Sequence, residues 1–193
     1  EISCSLVGSE MCIRDRPATD FPTDVRTMAL QGDTLWIGAL NGLYTYQLQN
    51  RKLSPLGTKR NGLPHNTIYS IIRTGDNQIY VGTYNGLCRY IASNGKFEKI
   101  PLPVNSSQSN LFVNSLLEDT GRQCIWIGTE GYLFQYFPST GQMKQTEAFH
   151  NNSIKSLALD GNGYLLAGTD NGLYVYHNLS LIHISEPTRL QLI

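Results

Sequence analysis

The side chains able to do chemistry are few and scattered along the chain. Histidines stand at 65, 150, 177 and 183, and no His-x-x-x-His pair or carboxylate cluster accompanies them. The spacing that holds a metal is therefore missing, and neither a metal nor another cofactor is expected. His65 and His150 each precede an apolar, alternating segment, in the connection that leads into it. That placement makes both candidate ligand contacts. Cys88 and Cys124 lack the CxxC spacing of a redox or zinc site. Other candidates come from variation among four similar strings, whose tips carry Leu40, Tyr84, Glu130 and Asp170. The longer connections add Arg60, Asn61 and Asn110. A tyrosine at position 84 can stack on a pyranose face, and Arg60 can pair with a sugar carboxylate or sulfate. The candidate ligand-binding set is thus Arg60, Asn61, His65, Tyr84, Asn110, Glu130, His150 and Asp170, with no catalytic residue.

The elements that must position these residues repeat. "WIGALNGLYTY" (36–46), "YVGTYNGLCRY" (80–90), "WIGTEGYLFQY" (126–136) and "LAGTDNGLYVY" (166–176) align on Gly38, Gly82, Gly128 and Gly168. Each is preceded by another apolar alternation: "VRTMAL", "IYSIIR", "VNSLLE" and "IKSLAL". Short polar turns separate the two, and a weaker run such as "NGKFEKI" follows. The period is two rather than 3.6, so each unit is a meander of four short strands. A lone sheet of this kind cannot bury both apolar faces, and radial stacking of four-stranded sheets makes a β-propeller. The fold class is all-β: a propeller fragment of about four blades, each of four antiparallel strands. Trp36 and Trp126 share one blade position with Tyr80 and Leu166, which predicts packing between blades rather than ligand stacking. Cys88 shares its place with Tyr44, Phe134 and Tyr174, an expected core position. Asn41-Gly42 reads as the centre of a two-residue turn. In the third unit Gly131-Tyr132 stands there instead, which predicts a different turn with Gly at its first central position and an unchanged register. The inner strands offer Arg26, Tyr69, Asn114 and Lys155 at one equivalent position, with Glu118 their only acid. No acid–base pair emerges for a propeller lyase or hydrolase.

Fifteen basic and 15 acidic residues among 193 give zero net charge. That balance offers no electrostatic case for nucleic acid or an anionic membrane. No apolar run of about 18 residues is present. The two ends read differently from the middle. "SLVGSEMCIRDR" (5–16) can be back-translated so that its reverse complement encodes "LSLIHISEPTR", which is residues 179–189. Segments that are inverted copies at the DNA level have no folding logic and resemble translated adapter from a transposon-based sequencing library. Residues 1–16 and 179–193 are therefore expected to lie outside the fold, with a partial propeller over 17–178 and repeats at about 23–66, 67–111, 112–152 and 153–178. With both ends so placed, the lack of a leader or membrane helix says nothing about the parent protein.

"LWIGALNGLYTY" and "IWIGTEGYLFQY", with "GLPHNTIYSI" (62–71) leading into an inner strand, resemble the two-component regulator propeller repeat. The resemblance covers about 23–178. It implies the periplasmic part of a hybrid sensor histidine kinase of Bacteroidetes, one that detects glycan breakdown products and switches on polysaccharide-utilisation genes. The partners it implies are an oligosaccharide ligand, the remaining blades of the parent chain and a second copy of the parent. Nucleic acid and membrane contact by this segment are not among them. The alternatives are a propeller enzyme and a protein–protein scaffold. A ring cut open exposes blade faces, so the fragment is expected to be unstable by itself.

Overall fold

Period-two alternation puts every second side chain on one face of a strand, and the computed structural model pairs the strands in the order of the repeats. It describes residues 22–56, 61–103, 111–146, 152–177 and 180–184. The first sheet contains β1 (Val25–Gln31), β2 (Thr34–Ala39), β3 (Gly42–Gln47) and β4 (Lys52–Pro55). The second contains β5 (Ile68–Arg73), β6 (Ile79–Thr83), β7 (Gly86–Ile91) and β8 (Lys96–Ile100). The third contains β9 (Val113–Asp119), β10 (Cys124–Thr129), β11 (Leu133–Phe137) and β12 (Gln142–Thr146). The fourth contains β13 (Ile154–Leu159), β14 (Leu165–Thr169), β15 (Gly172–His177) and β16 (Ser180–Ile184). Each sheet is an antiparallel meander in chain order. The sheets stack in sequence: β5 packs on β1 and β2, β9 on β5 and β6, and β13 on β9 and β10.

Among the described residues three core clusters lie between sheets, and a smaller one, Ile37, Ala39 and Tyr44, belongs to the first sheet alone. Trp36 and Leu43 of the first sheet meet Ile68, Ile71, Val81 and Cys88 of the second. Tyr80 and Leu87 of the second meet Val113, Leu116, Ile127 and Phe134 of the third. Trp126 and Leu133 of the third meet Ile154, Leu165, Ala167 and Tyr176 of the fourth. One aromatic pair marks every seam, edge to face: Trp36 with Tyr90 at 4.8 Å, Tyr80 with Tyr136 at 6.3 Å, and Trp126 with Tyr176 at 5.8 Å. Both tryptophans are thus packing residues, and the last tyrosine of each hairpin string is their counterpart. On the front of the first sheet Ile37, Ala39 and Tyr44 are buried, whereas its inner strand is open among the described residues. Val25 is 47% exposed and Met28 61%, whereas Ile68, Val113 and Ile154 are 0% and Ile71 is 5%.

Two details differ from the sequence-based expectation. The hairpin turns centre on Leu40-Asn41, Tyr84-Asn85 and Asp170-Asn171, because the following glycine already pairs as the first residue of the next strand. Gly86 and Gly172, at φ +101° and +110°, carry the left-handed conformation there. In the third sheet the register is kept, and the turn is Glu130-Gly131 with Gly131, φ +92°, at its second central position. Tyr132 then occupies the strand position without strain. The fold also extends beyond residue 178. Ser180–Ile184 pairs along β15 as the fourth strand of the last sheet. Ser180–Ile184 pairs the backbone amides and carbonyls along the edge of β15, whatever nucleotide sequence encoded it. His183 holds the strand there, its ring 4.6 Å from that of Tyr174 and its Nε2 3.0 Å from the Asn171 carbonyl. Residues 1–16 lie outside the described residues.

The glycine of the first three strings is required by the seam. A Cβ on Gly82 would stand 2.6 Å from Val113 Cγ1 and 2.8 Å from the Val113 carbonyl oxygen, on the next sheet. At Gly168 it would meet only the Ser156 hydroxyl, at 2.5 Å, which can rotate away. Gly82→Ala should therefore destabilise the chain by about 1–3 kcal/mol and Gly168→Ala by clearly less, as read from urea unfolding midpoints. Equal losses would show that collision with the following sheet is not the cause.

Candidate functional site

The ladder breaks at the same place in all four sheets. Val25 pairs with Ala39 and Thr27 with Gly38, which leaves Arg26 without a partner on β2. Tyr69, Asn114 and Lys155 are left out in the same way between Ile68 and Ser70, Val113 and Ser115, and Ile154 and Ser156. Such a β-bulge frees its extra residue from pairing and re-aims its side chain. All four bulged residues line one open cavity of about 630 Å³, together with Tyr84, Phe112 and Glu130.

The cavity wall is continuous across the blades. The Arg26 guanidinium lies over the Tyr69 ring, 5.1 Å from its centre. Tyr69 meets Phe112 edge to face at 5.9 Å, Phe112 meets Tyr84 at 4.1 Å, and His65 lies against Tyr84 at 4.9 Å. On the far side, Asn114 Nδ2 donates to Ser153 Oγ at 3.3 Å and Lys155 Nζ donates to the same oxygen at 2.7 Å. The hairpin tips are held against segments that lead into inner strands, Tyr84 against that of its own sheet and Gly131 against that of the next. Tyr84 N donates to the Thr67 carbonyl at 3.0 Å and Gly131 N to the Asn152 carbonyl at 3.1 Å.

Of the residues picked out from sequence, Tyr84 and Glu130 line the cavity and His65 adjoins it through Tyr84. His65 Nδ1 also accepts a hydrogen bond from Thr67 N at 3.1 Å, which shapes the loop before β5. Two others serve local structure: Asn61 Nδ2 donates to the Leu56 carbonyl at 2.9 Å, and Asp170 Oδ1 accepts from Ser153 N at 3.0 Å. Leu40 donates its amide to the Thr23 carbonyl and accepts from Thr67 Oγ1. Arg60, Asn110 and His150 lie outside the described residues. Phe112 and the bulged residues also line the cavity and were not among the sequence candidates. The signal for the latter was present, since one position holds Arg, Tyr, Asn and Lys between a Val or Ile and a Ser or Thr.

A second cleft, about 600 Å³, opens between the second and third sheets at the other end of the inner strands. Several of its polar groups are engaged locally, while Arg89 Nε is buried without a hydrogen-bond partner among the described residues. Both Glu118 carboxylate oxygens lie 2.9 Å from Gly75 N, and Arg89 pairs with Glu98 at 2.7 Å. Asp119 accepts from Trp126 Nε1 at 3.0 Å and from Arg122 N and Nη1 at 2.9 and 2.8 Å. Burial alone would raise its carboxyl, but the Trp126 and Arg122 hydrogen bonds outweigh that and hold it below the ordinary carboxylate value. Burial pushes the thiols of Cys88 and Cys124 up, which leaves them poor nucleophiles. Both are free and buried, and Cys88 occupies the core as expected.

Sixteen strands in four stacked meanders define a β-propeller segment. The family model of the two-component regulator propeller matches residues 62–85. The extracellular domain of BT4673 from B. thetaiotaomicron is 84% identical over 90% of this chain, with a TM-score of 0.83. That structure is described as part of a one-component system. A second structure of it, 84% identical over 91% of this chain at the same TM-score, is described as part of a hybrid two-component system. This chain spans 24% of the length of either. The extracellular domain of BT3049 from the same organism is 22% identical over 77% of this chain and 21% of its own, with a TM-score of 0.64. Virginiamycin B lyase from Staphylococcus aureus is 14% identical over 89% of this chain and 58% of its own, at 0.67. These last two likenesses show the fold alone. No curated protein matches the chain.

A carboxyl held below its ordinary value stabilises the fold above its unfolded pKa, about 3.9, and that contribution is lost as pH falls through the folded value. Asp119→Asn should therefore cost about 1–3 kcal/mol at pH 7, with the gap to the unsubstituted chain closing below about pH 4. Thermal unfolding across pH 2–7 reads this. A gap that stays constant to the acid end would exclude the carboxylate charge as its source.

Proposed function

We propose that the chain is a segment of the extracytoplasmic sensory propeller of a hybrid two-component system, and that its bulge-lined face contacts an oligosaccharide released by glycan breakdown. The observation that carries this reading is the cavity at the inner-strand ends, where Tyr69, Tyr84 and Phe112 present aromatic surface beside Arg26, Asn114, Glu130 and Lys155. Sugars need that combination: rings for their C–H faces and polar groups for their hydroxyls. The 84% identity with the BT4673 extracellular domain supports the sensor assignment and an extracytoplasmic location. In the parent protein, a preceding blade would cover Val25 and Met28, the positions that each internal seam buries.

A panel of neutral and acidic oligosaccharides (cello-, manno-, xylo-, galacto- and galacturono-series) tests the reading by thermal shift. A ligand present at 100 times its Kd adds about 2.7 kcal/mol, which raises Tm by roughly 5–10 °C in a chain of this size. If no member of the panel at millimolar concentration moves Tm by more than about 1 °C, the oligosaccharide reading is wrong.

A further inference from the structure

We infer that the four bulged residues, Arg26, Tyr69, Asn114 and Lys155, are the positions that select among ligands, one side chain per blade. This rests on the proposal that the cavity they line binds an oligosaccharide.

The residues on either side of each bulge have no freedom to vary. The one before it, Val25, Ile68, Val113 or Ile154, belongs to the front surface of its sheet, and in the last three it is fully buried against the preceding blade. The one after it, Thr27, Ser70, Ser115 or Ser156, pairs with the glycine of the neighbouring strand and leaves no room for bulk. Ser70 Oγ also donates to the Val113 carbonyl at 3.0 Å, and Thr27 Oγ1 accepts from Ile71 N at 3.1 Å, each bond crossing a seam. The bulged residue itself makes no ladder pair, and its chemistry changes completely from blade to blade: guanidinium, phenol, amide, ammonium.

All four side chains are hydrogen-bond donors, and Glu130 is the one carboxylate among the described residues lining the cavity. A donor-rich wall of this kind fits the ring and hydroxyl oxygens of a sugar chain laid across the blades, each blade reading a different stretch. The tips are less suited to discrimination. Tyr84 is flanked by Phe112 and His65, and Asp170 is spent on Ser153 N. A tip residue then adds contact area, while a bulged residue decides which sugar is preferred.

The test is isothermal titration of the whole chain with the same oligosaccharide panel. Tyr69→Leu and Lys155→Met are compared with the tip variants Tyr84→Leu and Glu130→Gln, with Lys52→Ala on an outer strand as control. The bulge variants should lose affinity by at least about tenfold for the preferred oligosaccharide and should reorder the panel. Their Tm should stay within about 2 °C of the unsubstituted chain, because no ladder pair is lost. The tip variants should weaken binding without reordering it. Bulge variants that bind within about twofold and in the original order overturn the inference, as does reordering produced by the tip variants alone. If the unsubstituted chain binds no member of the panel, the oligosaccharide reading fails, and this inference with it.

Discussion

Everything in this chain depends on how closely one sheet can approach the next, and a glycine sets that distance. Gly38, Gly82 and Gly128 each lie under the first inner-strand residue of the following sheet, Ile68, Val113 and Ile154. With no Cβ in the way, those branched side chains seat directly on the backbone of the preceding blade and are fully buried there. The inner strands then run side by side, and the aromatic pairs farther out close the same gap. Burying a branched aliphatic side chain contributes about 1.5–3 kcal/mol, so the seam gains most at the position where a single added carbon would hold it open.

A fold built from one seam used three times is held by nearest-neighbour terms. Each of the three internal seams buries the front of one sheet against the one before it. The exposed Val25 and Met28 show what an unmatched front looks like, and the pairing of Ser180–Ile184 on β15 shows the corresponding pressure within a sheet. Both are local demands, one for apolar cover and one for backbone hydrogen bonds, and each is met by whatever suitable chain lies next to it.

The repeats, the strand order and the packing role of the tryptophans were legible because they rest on period-two alternation and on large residues recurring at one position. The unchanged register of the third unit was legible for the same reason. The turns were misread by one place, since Asn-Gly suggests the turn centre wherever it occurs, while here the glycine already belongs to the strand. The bulges left a subtler trace. Ile68 and Ile71 face the same side, as do Val113 and Leu116, and Ile154 and Leu157. A spacing of three within a strand cannot arise from strict alternation, so one residue in between must be extra. That residue is Tyr69, Asn114 or Lys155, and its counterpart in the first blade is Arg26. Phe112 gave no such sign, because the residue before each inner strand is otherwise Asp24, Thr67 or Ser153.

The bulge also resolves a conflict between stability and variation. A residue inside the ladder of an inner strand alternates between two packed faces, and changing it disturbs a seam. A residue outside the ladder has no cross-strand partner to lose, so cation, phenol and amide can replace one another while a Val or Ile precedes it and a Ser or Thr follows it in every blade. Four blades then offer four independent choices on one continuous wall. The strict seam makes that freedom usable, because it holds the four side chains in fixed relation whichever they are. Constancy at Gly38, Gly82 and Gly128 and diversity at Arg26, Tyr69, Asn114 and Lys155 are thus two consequences of the same inner-strand geometry.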